Sequence, residues 1–196
     1  MEIPSPIGPS LNLVPIQADD QAVLFSLMDK IYRDAYRYVW GDQGDWYVNL
    51  IYNPETLQKE LNRARSHYFF VESDAVKIGI LKYDFPFSPR EIQIPNSMKL
   101  HRLYLHPDFH GKGIAKRLVE HCEKISLENG LESIWLEVMS CQPQAKRFYE
   151  KMGFSHLLSY QLDFEMLLPE YRGIEIWRKV LGKNLQSAQS AFSAEI

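Results

Sequence analysis

Cysteine is scarce: the 196-residue chain has 2, Cys122 and Cys141. That is too few for a disulfide framework, and neither belongs to a Cys-x-x-Cys pair of the kind used for zinc or redox work. Such usage fits a reducing, cytoplasmic compartment. No apolar run approaches the roughly 20 residues that span a bilayer, and residues 1–10 lack the basic flank and apolar stretch of a signal peptide. A surplus of positive charge is missing too. Lys and Arg number 22 against 25 Asp and Glu, a net charge of -3, whereas a general nucleic-acid binder needs a basic stripe to displace counterions from phosphates. His101, His106 and His110 straddle Pro107 without a helical or hairpin ligand spacing, so no metal site is expected. Membranes and nucleic acids are thereby set aside, and small molecules or short peptides are left as partners.

What is present is an ordinary globular composition, 45% hydrophobic and 24% charged, long enough for one core without disulfides or a structural metal. Pro4, Pro6 and Pro9 make residues 1–10 a flexible leader. Residues 11–182 read as a single domain, and 183–196 as a polar, Ala/Ser-rich tail. Leu11 and Leu13 begin a strand, and Asp19 or Asp20 caps a helix carrying Leu24, Leu27, Met28 and Ile31 on one face. Pro54 opens another helix. Residues 68–71 and 76–83 form a hairpin, followed by a Pro-rich surface excursion over 84–96 that could shape a substrate mouth. A strand over 98–105 leads to a helix from Gly113. A buried strand over 134–138 leads to a helix from Pro143 that Gly153 ends, and 162–166 and 174–181 read as closing strands. No internal repeat is visible. The order predicts an α/β fold, a mixed sheet with helices on both faces.

The segment from Leu103 to Ala115 is a strand, a short turn and a helix opening, and its chemistry is anion binding. Gly111 and Gly113 let the backbone approach closely. The first amides of the following helix have no intrahelical partners and can point at a diphosphate with the helix dipole behind them, while Lys112 and Lys116 add charge. A Walker loop is excluded because Gly-Lys-Ser/Thr is missing, and the dinucleotide fingerprint fails because Lys116 stands where its third glycine would be.

His110-Gly111-Lys112-Gly113-Ile114-Ala115 resembles motif A of the GNAT superfamily of N-acetyltransferases, Gln/Arg-x-x-Gly-x-Gly/Ala, with His110 replacing the usual first residue and so removing a side chain expected to brace the loop. About 30 residues on, Gln142, Ala145, Tyr149, Gly153 and Phe154 resemble motif B, Asn-x-x-Ala-x-x-x-Tyr-x-x-x-Gly-Phe, with Gln142 in place of Asn. Two motifs correctly spaced are far more specific than either one. Within the superfamily the chain is similar to the PaiA-like polyamine acetyltransferases, through residues 57–61, 68–71, 102–105, 109–114 and 134–138.

The resemblance implies a mostly antiparallel sheet with a V-shaped splay, and acetyl-coenzyme A as donor to a primary amine that attacks directly in a ternary complex. It implies that Leu103, Tyr104 and Leu105 engage the cofactor arm through their backbone and that residues 110–116 hold the diphosphate. Gln142, Ala145, Phe148, Tyr149 and Lys151 are implied on the cofactor helix, with Tyr149 serving the departing thiolate. The amine must be neutral to attack. Many members place a Glu on the motif A strand for this. Here the candidate is His101, which shares strand parity with Leu103 and Leu105; a water relay from Glu72 or Glu137 is the alternative. Asp34, Asp42, Asp45, Tyr36, Trp40 and Trp46 supply acids and aromatics for a polycation. A peptide or protein N-acetyltransferase and a coenzyme A-binding regulatory module without turnover are the competing readings. Homodimers are common among the resembled enzymes, but no stretch identifies a contact surface.

Overall fold

The computed structural model describes residues 5–8 and 10–182. In chain order it has β1 (Ser5–Gly8), β2 (Leu11–Pro15), α1 (Gln21–Tyr36), α2 (Asp45–Ile51), α3 (Pro54–Leu61), β3 (Ser66–Ser73), β4 (Val76–Asp84), β5 (Ser97–Leu105), α4 (Ile114–Glu128), β6 (Ser133–Met139), α5 (Pro143–Lys151), β7 (Ser155–Gln161) and β8 (Gly173–Val180). The strands form one sheet in the order β1-β2-β3-β4-β5-β6-β8-β7. Every neighbouring pair is antiparallel except β5 and β6.

The sheet buries both faces. On one, Leu118, Val119 and Cys122 of α4 meet Leu81, Leu100, Leu105, Ile134 and Leu136, with Phe148 and Tyr149 of α5 packed alongside. On the other, Leu24, Met28, Ile31 and Tyr32 of α1, Val48 of α2 and Leu57 of α3 meet Tyr68, Phe70 and Ile80. Local chemistry starts and stops these helices. Asn53 accepts a hydrogen bond from the Thr56 N–H at 2.7 Å to cap α3, whose first turn holds Pro54, and Asp42 accepts from the N–H groups of Gly44, just before α2, and Trp46, in its first turn.

Two features position the site. First, β5 and β6 pair only through Ser97↔Ser133, Met98↔Ile134 and Lys99↔Trp135. Beyond that β5 stays with β4 as far as Gly79↔Leu105, and β6 stays with β8 as far as Met139↔Ile174. The sheet therefore opens as a V between residues 100–105 and 136–139. Second, Lys82 pairs with Arg102 while the next residue, Tyr83, pairs with Leu100. His101 is thus the extra residue of a β-bulge, which resets the alternation of the strand.

The structure departs from the sequence expectations in three places. Within the expected leader, residues 5–8 pair with β2 as an edge strand; Pro6 is tolerated because an edge needs no donor on its outer side. The strand expected over 162–166 lies instead at Ser155–Gln161, and Leu162, Phe164 and Met166 pack irregularly against the α1 face. A third helix before β3, α2, was not anticipated. The expected tail lies outside the described residues. Among the described residues no helix is long and apolar enough to cross a membrane.

Candidate active site

The turn after β5 is built by short-range bonds. Phe109 N–H donates to His106 O and His110 N–H to Pro107 O, both at 2.9 Å. Gly111 and Gly113 then adopt φ of +74° and +75°, the left-handed region that glycine enters without steric cost, and Gly113 starts α4. The next backbone bond outside the helix is Arg117 N–H to Gly113 O at 3.2 Å. Six consecutive backbone N–H groups, from Gly111 through Lys112, Gly113, Ile114 and Ala115 to Lys116, donate to no acceptor among the described residues. A Cβ on Gly111 or Gly113 would meet nothing within 4 Å, so the space above the amides is open. Such a row of amides at the positive end of a 15-residue helix can receive an anion. Lys112 lies over the Phe109 ring at 4.7 Å, and Lys116 makes an exposed contact with Glu120 at 3.7 Å.

Two expectations for this loop change. The His110 N–H is consumed by Pro107, so the free amides begin at Gly111. The brace expected to be lost is present, because His110 Nε2 lies 3.0 Å from Leu105 O.

The open V adjoins the cradle. Leu103, Leu105, Ala115, Ala145, Phe148 and Tyr149 all face the α4/α5 side, while the Tyr104 side chain goes to the opposite face, edge-on to Tyr32 and Tyr36 at 6.1 and 6.2 Å. Tyr104 can thus reach the slot only through its backbone. Tyr149 is held edge-on by Phe148 at 5.1 Å and Phe154 at 5.6 Å. Its hydroxyl makes no hydrogen bond among the described residues, and burial pushes its pKa well above the usual phenol value, with Cys122 adding to the shift. It is a protonated donor without a partner. Gln142 is displaced from its expected role: its amide donates to Ala35 O at 3.3 Å and Tyr38 Oη at 3.2 Å, tying α5 to the end of α1. Lys151 is exposed in the last turn of α5.

Across the sheet, the α1–α3 side holds a buried polar network. Arg102 donates twice to Glu60, at 2.6 and 2.8 Å. Lys82, fully buried, donates to both oxygens of Asp84 at 3.1 and 3.2 Å. Lys99 Nζ reaches Glu137 at 2.8 Å and the Tyr160 hydroxyl donates to the other oxygen at 2.9 Å. His101 stands among these groups, not in the Leu103/Leu105 row, because the bulge breaks the parity on which that expectation rested. Burial lowers its pKa far below the usual histidine value, and Arg102, Lys82, Lys99 and Arg63 lower it further. Its Nδ1 is buried without a hydrogen-bond partner among the described residues. A neutral ring held so firmly is a weak base.

The acids expected to receive a polycation do not converge. Asp42 accepts backbone N–H groups at the start of α2, Asp45 pairs with Arg33, and Asp34 is exposed. Trp40 is buried, its indole N–H donating to Tyr32 Oη at 3.1 Å. Glu72 pairs with Asn12 and Lys77, away from the V. Cys141 accepts a hydrogen bond from Tyr38 Oη at 3.6 Å, and burial raises the Cys122 thiol pKa. Among the described residues no three His, Cys, Asp or Glu side chains gather as metal ligands. Tyr36, stacked on Tyr32 at 4.8 Å, is held protonated by burial and then by the nearby Tyr149. Motif spacing could not link these two tyrosines, since they approach from opposite faces of the sheet.

A parted parallel strand pair, a row of free amides opening the next helix and a tyrosine across the slot define the fold of acyl-group transferases. Residues 25–154 match the acetyltransferase (GNAT) family. The chain belongs to that family. An uncharacterized N-acetyltransferase of the pepI 3' region of Lactobacillus delbrueckii subsp. lactis is 30% identical over 103 residues, 53% of this chain and 60% of that one, so the match spans under two thirds of that relative. A spermidine N(1)-acetyltransferase of Thermoplasma acidophilum is 24% identical over 150 residues, 74% of this chain and 88% of that one. The crystal structure of PaiA N-acetyltransferase from Thermoplasma acidophilum in complex with coenzyme A superposes with a TM-score of 0.67 at 22% identity, covering 87% of this chain and 99% of that one.

Proposed function

We propose that the protein transfers an acetyl group from acetyl-coenzyme A to a small primary amine. One observation carries this reading: six free amides at the start of α4 stand beside the gap between β5 and β6. The residues fit the donor. Free N–H groups under open space suit a diphosphate, and the stretch of β5 without a β6 partner suits an extended, amide-bearing arm. Acetyl-coenzyme A, when bound, supplies an activated acetyl thioester.

The amides of residues 111–116, with Lys112 and Lys116, would hold the diphosphate. The backbone of Leu103, Tyr104 and Leu105 would orient the arm, with Ala145 and Phe148 walling the slot. Orientation of this kind is a major source of rate in a direct transfer. Tyr149 Oη keeps its proton and offers it as a hydrogen bond at the leaving sulfur's side of the slot. An alkylammonium of pKa ~10 requires roughly 3 kcal/mol to lose its proton near pH 7.5. Burial beside Lys82, Lys99 and Arg102 lowers the amine's own proton affinity. Glu137, with lone pairs left beyond its bonds to Lys99 and Tyr160, can relay the proton through water; His101 is the poorer choice.

The spermidine acetyltransferase relative supports a polyamine acceptor, although the candidate acids are engaged elsewhere. An extended peptide groove is disfavoured because the 84–96 loop is pinned to the sheet, with Phe87 O accepting from Trp135 Nε1 at 2.6 Å and from Ser97 Oγ at 2.8 Å. Calorimetry with acetyl-coenzyme A, followed by thiol release across amines and peptides, tests the reading. Binding without release for any acceptor would make the protein a regulatory module.

A further inference from the structure

Four cations and the three carboxylates bonded to them line the face where the sheet opens, with Glu91 further out beside Tyr160. Around His101 stand Arg63, Lys82, Lys99 and Arg102. The carboxylates bonded to them are Asp84, Glu137 and Glu60. Three of these cations are deep and each has a close carboxylate. Arg63 differs: its side chain is 48% exposed, and its contact is a single 3.3 Å approach to Asp84, whose oxygens Lys82 already grips. The guanidinium sits 5.7 Å over the Phe87 ring, and Lys99 approaches the same ring at 5.8 Å. Phe87 thus links Arg63 to the Lys99–Glu137 pair beside the point where β5 and β6 part. Most of the five donors of Arg63 have no acceptor among the described residues, and the planar fork matches a carboxylate.

We propose that Arg63 docks a carboxylate carried by the acceptor, making the preferred substrate an amine that is also a carboxylic acid. This deepens the acetyltransferase reading and rests on it. A polycation would meet the half-exposed Arg63 guanidinium as a like charge, whereas an amino carboxylate places its anion on that rim and its amine inward, where burial favours the neutral form. The docked group fixes the amine's approach, so its effect appears chiefly in kcat/KM.

The test compares matched acceptors, 4-aminobutyrate and 5-aminopentanoate against butylamine, pentylamine and cadaverine, by thiol release from acetyl-coenzyme A. The carboxylated members are expected to win by about tenfold or more in kcat/KM, as a charge-assisted contact predicts. Arg63→Gln should collapse that ratio to within about twofold, and Arg63→Lys should restore part of it. Equal rates for charged and uncharged acceptors, a preference for cadaverine, or an unchanged ratio in Arg63→Gln would overturn the dock while leaving acetyl transfer intact. Thiol release with no acceptor would instead remove the acetyltransferase reading. Calorimetry of 4-aminobutyrate with the coenzyme A-saturated protein then decides the dock: binding lost in Arg63→Gln supports it, and no binding overturns it.

Discussion

His110 Nε2 reaches back 3.0 Å to the carbonyl oxygen of Leu105, joining the amide cradle to the last residue of β5. A carbonyl oxygen only accepts, so the imidazole carries its proton on Nε2. The bond sets the height of the turn relative to the strand that would hold the cofactor arm, and so couples the two halves of the donor site. Removing it in His110→Ala forfeits about 1 kcal/mol of ordering, which predicts acetyl-coenzyme A binding weakened by about fivefold. His110→Gln, which offers an amide donor at the first position of the motif, should retain most of the affinity. Calorimetric titration measures both, and full affinity in His110→Ala would show that the turn holds its shape without the ring.

Gly113→Val tests the cradle itself. At φ of +75° a β-branched residue is strained by about 1–2 kcal/mol, and its side chain would occupy the open space over the amides. The expected result is loss of acetyl-coenzyme A affinity by at least tenfold with a smaller loss of stability. Calorimetry and urea unfolding separate the two, and unchanged affinity would place the diphosphate elsewhere.

Tyr149→Phe removes one hydroxyl and keeps the aromatic contacts with Phe148 and Phe154. Because that hydroxyl has no hydrogen-bond partner among the described residues, stability should change little. Turnover should fall by about 10²-fold or more with acetyl-coenzyme A affinity nearly unchanged. Equal turnover in the two proteins would take Tyr149 out of the chemistry and direct attention to Tyr36.

The strand–turn–helix proposed to hold the donor was legible in the sequence as backbone geometry, and the surroundings of the proposed acceptor side were not. Glycines and prolines mark the strand–turn–helix of 103–115 and the start of α5 because their backbone restrictions act locally. His101 was misplaced because a β-bulge leaves no local mark, yet it inverts every side chain beyond it. Asp42 and Asp45 read as a cluster by proximity, whereas one accepts backbone N–H groups at the start of α2 and the other is an ion-pair partner. The 162–166 segment reads as a strand because its apolar residues alternate with polar ones, but Leu162, Phe164 and Met166 pack half-buried against the α1 face while the mostly exposed β7 forms the sheet edge. Gln142 matched a motif position, but its side chain is taken up by Ala35 and Tyr38 across 107 and 104 residues of chain, a contact that no spacing rule encodes.

The cationic surroundings of His101 predict a pH dependence of stability. Loss of hydration, followed by Arg102, Lys82, Lys99 and Arg63, keeps the folded ring neutral far below the ordinary histidine range. The unfolded chain takes up a proton at His101 below about pH 6.5 and the folded chain does not. The unfolded state therefore binds more protons there, and stability falls as pH drops below that point, by up to about 1.4 kcal/mol per pH unit. His121, whose pKa burial also lowers, contributes with the same sign. His101→Gln should therefore remove only part of the slope, and urea unfolding between about pH 5 and pH 6.5 measures it. Turnover of wild type should show no inflection from His101 in the same range. Identical slopes in the two proteins would mean that the ring protonates as easily folded as unfolded, and the case against His101 as the base would lose its footing.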